Sequence, residues 1–276
     1  MRKIIVILLL VVSLSAFAQQ EYIFEKDIHY YPELVNKSDK YVASQCTLDI
    51  YYPKGLKNFA TIVWFHGGGL TGGNKEIPKA LTEKGVAVIG VEYRLSPKVA
   101  APTYIEDAAA AVAWAFQHIE NYGGNPNLIF LSGHSAGGYL VMMITLDKKY
   151  LKKYTIDANS IAGIIPFSGQ AITHFTIRKE KGIAETQPTI DEYAPLYFVR
   201  KDASPMFLIT GDPEMELYGR YEENAYLNRM MKLVGNKSTT LCKLEGFNHG
   251  NMPEPAFPLL INEVEKIRKE IVEKKL

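Results

Sequence analysis

The sequence lacks the features that would place it in several common classes of protein. It has 31 Lys and Arg against 30 Asp and Glu, so it carries no excess of positive charge for a nucleic-acid surface. Its two cysteines, Cys46 and Cys242, do not show the spacing of His, Cys and carboxylate ligands that a zinc site needs. It shows no internal repeat and no low-complexity tract. We therefore expect no nucleic-acid partner and no bound metal.

Long apolar runs are scarce, and the most extended one lies at the start of the chain. Ile4–Leu14 is nearly all aliphatic, follows a short basic start, and precedes a small-x-small pattern at residues 16–18. This arrangement is typical of a secretory signal peptide, and the run is too short to span a bilayer comfortably. We predict that residues 1–18 are removed on export to the periplasm or the exterior, and that the remaining chain is not stably inserted in a membrane.

What the sequence does contain is material for one sizeable α/β domain over residues 19–276. Hydrophobic residues make up 47% of the chain, and short apolar runs alternate with helical patterns. This alternation predicts a mostly parallel sheet with helices on both faces. The strand candidates are an antiparallel pair at Tyr22–Tyr30 and Tyr41–Tyr52, then Ala60–Phe65, Val86–Val91, Leu128–Leu131, Ile161–Phe167, Pro205–Ile209 and Thr239–Leu244. The helical patterns are Lys75–Lys84, Tyr104–Asn121, Ala136–Tyr150, Tyr218–Val234 and a last helix from Pro258.

One connection in this pattern is much longer than the others. Residues 169–203 separate two predicted strands, whereas connections in compact domains have a median of about 4–6 residues. The segment contains several aromatic residues, among them Phe175 and Tyr193. Long loops of this kind are often lids or binding loops. We interpret residues 169–203 as a small cap over a substrate site.

The strongest chemical motif is Gly133-His134-Ser135-Ala136-Gly137, which follows a predicted strand and opens a predicted helix. This G-x-S-x-G pattern places a serine on a sharp strand-to-helix turn, where small residues let strand and helix converge. Negative charge that develops beside a helix N-terminus is stabilised there, and the N–H of Ala136 can donate to it. Ser135 is therefore the candidate nucleophile.

A second motif, His66-Gly67-Gly68-Gly69, directly follows another predicted strand. Consecutive glycines allow backbone N–H groups to approach a ligand without obstruction by a Cβ atom. Acyl transfer needs both a nucleophile and fixed donors for the oxyanion, so the two motifs support each other. We interpret His66 itself as a structural hydrogen-bonding residue.

A serine nucleophile also needs a base and an acid that orients it. His249 lies after the last predicted strand, which fits the chain order serine, acid, histidine. The acid is then expected in Gly211-Asp212-Pro213-Glu214, after the strand that ends at Ile209. Asp212 before a proline is typical of a helix cap, which favours Glu214 as the acid and leaves Asp212 as the alternative.

With these motifs placed, the sequence resembles the α/β-hydrolase superfamily, and within it the hormone-sensitive-lipase-like esterases and small carboxylesterases. The element Glu92-Tyr93-Arg94-Leu95-Ser96-Pro97 is similar to a motif of that group. The resemblance covers nearly all of residues 45–276. It implies a central sheet of about eight strands, an oxyanion hole formed by the N–H groups of Gly68, Gly69 and Ala136, and no cofactor. It also supports Glu214, and it makes a disulfide between the two cysteines improbable.

These inferences predict an exported serine carboxylic-ester hydrolase that forms an acyl-enzyme on small or short-chain esters, including acylated carbohydrates. Two alternatives stay open at this point. A serine peptidase or amidase would use the same residues, and a hydrolase fold can also serve as a non-catalytic binding module. For the ester hydrolase, the expected partner is a small-molecule ester.

Overall fold

The computed structural model describes residues 20–217 and 219–273, so the predicted signal peptide at residues 1–18 lies outside the described residues. Eight strands form one sheet. They are β1 (Tyr22–His29), β2 (Thr47–Pro53), β3 (Phe59–Phe65), β4 (Ala87–Val91), β5 (Gly124–His134), β6 (Gly163–Phe167), β7 (Met206–Thr210) and β8 (Thr239–Lys243).

The strand order β1-β2-β4-β3-β5-β6-β7-β8 is that of a mostly parallel sheet. The neighbours from β4 to β8 pair in parallel, whereas β1 and β2 form an antiparallel pair and β2 is antiparallel to β4. Strands β3, β4 and β6 are buried along their whole length, because helices cover both faces. The predicted α/β fold is confirmed.

Helices close the two faces of the sheet, and their apolar sides form two hydrophobic clusters. The helices are α1 (Glu33–Ser38), α2 (Lys40–Gln45), α3 (Thr103–Tyr122), α4 (Ala136–Leu146), α5 (Lys149–Lys152), α6 (Phe175–Glu180), α7 (Arg220–Leu233) and α8 (Pro253–Glu273). One face carries α3, α4 and α7, and the other carries α8 and a short 3₁₀ turn at Lys79–Leu81.

Two predicted helices differ from the structure. The pattern at Lys75–Lys84 forms only the 3₁₀ turn, because the backbone N–H of Lys75 donates to the Glu92 carboxylate at 2.8 Å and Pro78 precedes the turn. The last helix begins at Pro253, and Pro258 lies inside it. A proline early in a helix removes one backbone hydrogen bond without ending the helix. Pro258 therefore does not mark the start of α8, contrary to the prediction from the sequence pattern.

The connection between β6 and β7 contains α6 and a 3₁₀ turn at Pro195–Phe198. It packs on the rest of the domain: Tyr139 in α4 donates its hydroxyl to the carbonyl of Tyr193 at 2.8 Å. Cys46 and Cys242 are both free. None of the helices among residues 20–217 and 219–273 combines the length and apolarity that crossing a bilayer requires.

The parallel strands end at one edge of the sheet, and the loops that follow them meet there. Open α/β sheets bind ligands in the crevice outside the carboxyl ends of their strands. The loops at this edge are residues 66–73 after β3, Ser135 after β5, residues 168–174 after β6, residues 211–217 after β7 and residues 244–252 after β8. The fold therefore brings both glycine motifs and the predicted base to one place.

Candidate active site

Ser135 lies in a sharp turn between β5 and α4. Its φ of 54° and ψ of −112° place it in a backbone region that a non-glycine residue rarely adopts. Its N–H donates to the carbonyl of Phe167 at 2.8 Å, and its carbonyl accepts from the N–H of Tyr139 at 3.0 Å. These bonds to β6 and α4 hold the strained backbone, as a nucleophile elbow requires.

The tightness of this turn depends on a glycine contact. A Cβ atom on Gly137 would overlap the carbonyl oxygen of Phe65, the last residue of β3. Because both side chains are missing at Gly133 and Gly137, α4 can start directly against β3. The loop after β3 is thereby drawn to the serine: a Cβ atom built on Gly67 would lie 3.5 Å from the Cβ of Ser135.

The loop that begins with His66 presents free backbone donors. Gly68 has a φ of 109°, and its carbonyl accepts from the N–H groups of Thr71 at 3.1 Å and Gly72 at 3.0 Å. Within the described part of the chain, the N–H groups of Gly68, Gly69 and Ala136 have no hydrogen-bond acceptor. Such unpaired amides beside a serine are the chemistry that an oxyanion hole uses.

His66 is held by a buried carboxylate, as predicted for a structural residue. Its Nε2 lies 3.0 Å from Oε1 of Glu92, and its ring stacks on Tyr93 with 4.4 Å between the ring centroids. Burial opposes ionisation of Glu92, but the hydrogen bonds from His66 and the N–H of Lys75 outweigh it and lower the pKa of this carboxyl. The His66–Glu92 pair therefore anchors residues 66–73, which we call the glycine loop, to the end of β4.

The carboxylate beside His249 is Glu216, so the prediction of Glu214, with Asp212 as the alternative, is wrong. Nδ1 of His249 lies 2.7 Å from Oε2 of Glu216, whose side chain is fully buried. Glu214 is exposed. Asp212 accepts the N–H of Glu214 at 3.0 Å and the N–H of Gly246 at 2.9 Å, so it ties the loop after β7 to the loop after β8.

The local backbone explains why Glu216, and not Glu214, lies beside His249. Asp212 does start a turn, as its capping pattern predicts, and the chain then completes one helical turn in which the N–H of Glu216 donates to the carbonyl of Asp212 at 2.8 Å. Residues four apart in such a turn lie on the same side, whereas Glu214 points away. Oε1 of Glu216 then accepts from the N–H of Gly211 at 3.0 Å and from the hydroxyl of Ser168.

Glu216 is ionised at neutral pH. Burial raises its pKa, but the hydrogen bonds from His249 and Ser168 outweigh burial and lower the pKa to about 2. A carboxylate can only accept, so it fixes the proton of His249 on Nδ1. The other ring nitrogen, Nε2, is then available to accept a proton, which is the state a general base needs.

The turn and the histidine loop are in direct contact through His134, the residue before Ser135. Its Nε2 lies 2.9 Å from the carbonyl oxygen of His249, and the two ring centroids are 4.7 Å apart. Through His134 and the approach of Gly67 to Ser135, the structure places the loop of His249 and the loop after β3 next to the serine turn, and it places Glu216 beside His249. Sequence reasoning missed Glu216 and Ser168, although Glu216 lies in the loop where an acid was sought.

A cavity of about 570 Å³ lies between the β6–β7 connection and the start of α7. Its lining combines apolar side chains, including those of Ile172, Phe175, Pro188, Ile190, Leu217 and Tyr226, with charged ones, namely Arg178, Glu185, Arg220, Glu222 and Glu223. Phe175 also approaches the loop after β3, since a Cβ atom on Gly69 would lie 2.9 Å from its ring. In residues 20–217 and 219–273, no cluster of three or more His, Cys, Asp or Glu could hold a metal ion.

The fold and this arrangement of residues define an α/β hydrolase of the hormone-sensitive-lipase-like group. Residues 48–217, more than half of the chain, match the family BD-FAE, and the protein belongs to that family. The match includes both glycine motifs, Ser135 and Glu216, and it ends before His249.

Relatives identified by sequence carry esterase names. A probable carboxylic ester hydrolase, LipM, from Mycobacterium tuberculosis is 29% identical over 170 residues, which cover 52% of this chain and 39% of that protein. Gut esterase 1 from Caenorhabditis elegans is 32% identical over 176 residues, covering 57% of this chain and 30% of that protein. The chain thus spans less than half the length of either relative.

Solved structures share the fold over most of the chain. A truncated carbohydrate esterase from gut microbiota superposes with a TM-score of 0.73 at 18% identity, covering 92% of this chain and 99% of that one. Esterase B from Lactobacillus rhamnosis gives a TM-score of 0.72 at 19% identity, with 92% and 90% covered. At such identities the likeness establishes the fold.

The position of Glu216 predicts a specific pH dependence of stability. Its pKa of about 2 in the folded protein lies below the value of 4.5 for a free side chain, so its contribution is present above pH 4.5 and lost as pH falls towards 2. We expect Glu216→Gln to flatten the fall in the free energy of unfolding over that range, measured by urea titration at a series of pH values. Glu214→Gln is the matched control and should follow the wild type. Equal slopes for wild type and Glu216→Gln would contradict the assignment.

Proposed function

We propose that the protein is a serine carboxylic-ester hydrolase in which Ser135 is the nucleophile, His249 the general base and Glu216 the residue that orients His249. The observation that carries the proposal is the hydrogen bond of 2.7 Å between His249 and a buried, ionised carboxylate, placed against a strained serine turn. The esterase names of the sequence relatives support the same reaction class.

In the first half of the reaction, Oγ of Ser135 forms a bond to the acyl carbon while its proton moves to Nε2 of His249. The resulting imidazolium is stabilised by Glu216, which remains ionised. Collapse of the tetrahedral intermediate breaks the ester C–O bond, and His249 returns the proton to the departing alcohol. Water then attacks the acyl-enzyme with the same base, which releases the acid and regenerates Ser135.

The oxyanion of each tetrahedral intermediate would be stabilised by the unpaired N–H groups of Gly68, Gly69 and Ala136. Ala136 is the first residue of α4, so the positive end of the helix dipole adds to this stabilisation. The His66–Glu92 pair keeps the glycine loop in place before substrate arrives. Removal of one preorganised oxyanion donor typically lowers kcat by about 10²–10³.

The expected substrates are soluble esters of small or short-chain acids, including acylated carbohydrates. The β6–β7 connection would act as a cap that forms one wall of the 570 Å³ cavity. The connection carries exposed charged residues, namely Lys179, Glu180, Lys181 and Glu185. A lid that opens on a lipid surface would be strongly apolar there, so a water-soluble ester fits this surface better.

The test is hydrolysis of p-nitrophenyl acetate, butyrate and octanoate by the wild type and three variants. We expect rates that fall with chain length, a loss of about 10⁶ in kcat for Ser135→Ala, and a loss of about 10⁴ for Glu216→Gln. Glu214→Gln is the matched control, because its exposed side chain lies away from His249, and its rates should stay near those of the wild type. A larger loss in Glu214→Gln than in Glu216→Gln, or activity that survives Ser135→Ala, would overturn the proposal.

We also propose that the enzyme is exported by the segment at residues 1–18. The support is the pattern of a basic start, an apolar run and small residues before Gln19. Expression of the full chain in a bacterial host should yield, in the periplasm or medium, a protein whose mass corresponds to a start at Gln19. A cytoplasmic product that retains residues 1–18 would contradict export.

A further inference from the structure

His134 occupies the variable position of the serine turn, and its side chain contacts the loop of the proposed base. Its Nε2 lies 2.9 Å from the carbonyl oxygen of His249. A carbonyl oxygen can only accept, so the nitrogen that faces it must carry the proton. Nε2–H of His134 is therefore the donor, and Nδ1 faces the backbone of Gly67, where a Cβ atom would lie 3.3 Å from it.

Few other contacts hold His249 itself. The flanking residues are fixed by Asp212, which accepts the N–H of Gly246 at 2.9 Å and donates its own N–H to the carbonyl of Phe247 at 2.8 Å. Asn248 accepts the N–H groups of Gly250 and Asn251. Among the described residues, the hydrogen bonds made by His249 are those from its ring to Glu216 and from His134 to its carbonyl.

The surroundings of the loop after β8 are open on one side. A second cavity, of about 530 Å³, lies beside His134, Gly250 and Asn251, and extends to Trp64 and Phe257. The loop after β8, which carries His249, thus has open space on the side that contacts His134.

We propose that His134 is a positioning residue: its hydrogen bond to the carbonyl of His249 fixes the loop after β8 against the serine turn and so sets the distance between His249 and Ser135. Because His134 directly precedes Ser135 in the chain, the bond ties base and nucleophile through a single residue. This inference rests on the proposed function, since it concerns the same site.

The charge state of His134 is compatible with this role. Burial and the neighbouring His249 ring lower the pKa of His134 to about 4, although the hydrogen bond to the carbonyl of His249 and the charge of Glu216 raise it. The ring is therefore neutral at pH 7. When His249 takes a proton during the reaction, His134 adds no second positive charge 4.7 Å away.

The test compares side chains that keep or lose the donor. In His134→Gln the amide nitrogen stands at a similar distance from the backbone and can donate to the carbonyl of His249, so kcat should stay close to that of the wild type. His134→Leu has no donor, and the amide of His134→Asn is one methylene too short. Both should lose about tenfold in kcat with KM nearly unchanged, as expected for loss of one hydrogen bond that positions the base.

Circular dichroism and thermal unfolding would confirm that each variant is folded, and His134→Asn provides the donor-deficient variant if His134→Leu fails to fold. A kcat in His134→Gln as low as in His134→Asn would overturn the proposal. So would an unchanged kcat in the folded His134→Asn or His134→Leu variant.

A second readout does not depend on activity. The Nδ1 proton shared by His249 and Glu216 should give a far-downfield proton resonance that Glu216→Gln abolishes, which assigns it. We expect His134→Gln to keep this resonance in place, and His134→Asn to shift or broaden it. If the wild type hydrolyses no ester, the proposed function fails, whereas the response of this resonance still decides the role of His134: no change in His134→Asn would contradict it.

Discussion

The strained backbone of Ser135 is the constraint on which the rest of the site depends. A φ of 54° is tolerated because hydrogen bonds to Phe167 and Tyr139 hold the residue from both sides. The turn also requires α4 to begin against the end of β3, which is possible only because Gly137 has no side chain to meet the carbonyl of Phe65. One close contact thus positions the serine, the helix N-terminus and the glycine loop together.

The second half of the site is assembled by loops that are distant in sequence. His249 lies 114 positions after Ser135, yet its loop is connected to the serine turn by His134 and to the loop after β7 by Asp212 and Glu216. Each connection is a hydrogen bond at the carboxyl edge of the sheet. One ionised carboxylate, Glu216, faces His249, and the ring of His134 beside it is neutral.

Features that depend on local sequence could be predicted, and features that depend on loop geometry could not. The alternation of apolar runs predicts the parallel sheet, and the motifs around Ser135 and His66 predict which loops meet. The acid could not be chosen in this way, because Asp212, Glu214 and Glu216 all follow the same strand. The helical turn that starts at Asp212 places Glu216, four residues later, beside His249. The contact of His134 with the carbonyl of His249 leaves no pattern in the sequence.

If Ser135 is an activated nucleophile, it reacts covalently with a serine-directed electrophile. The most direct measurement is reaction of the wild type with a fluorophosphonate, followed by intact-mass analysis and peptide mapping. We predict a single covalent adduct on the peptide that contains Ser135, and its absence after Ser135→Ala. An unmodified wild-type protein, or an adduct on another residue that persists in Ser135→Ala, would contradict it.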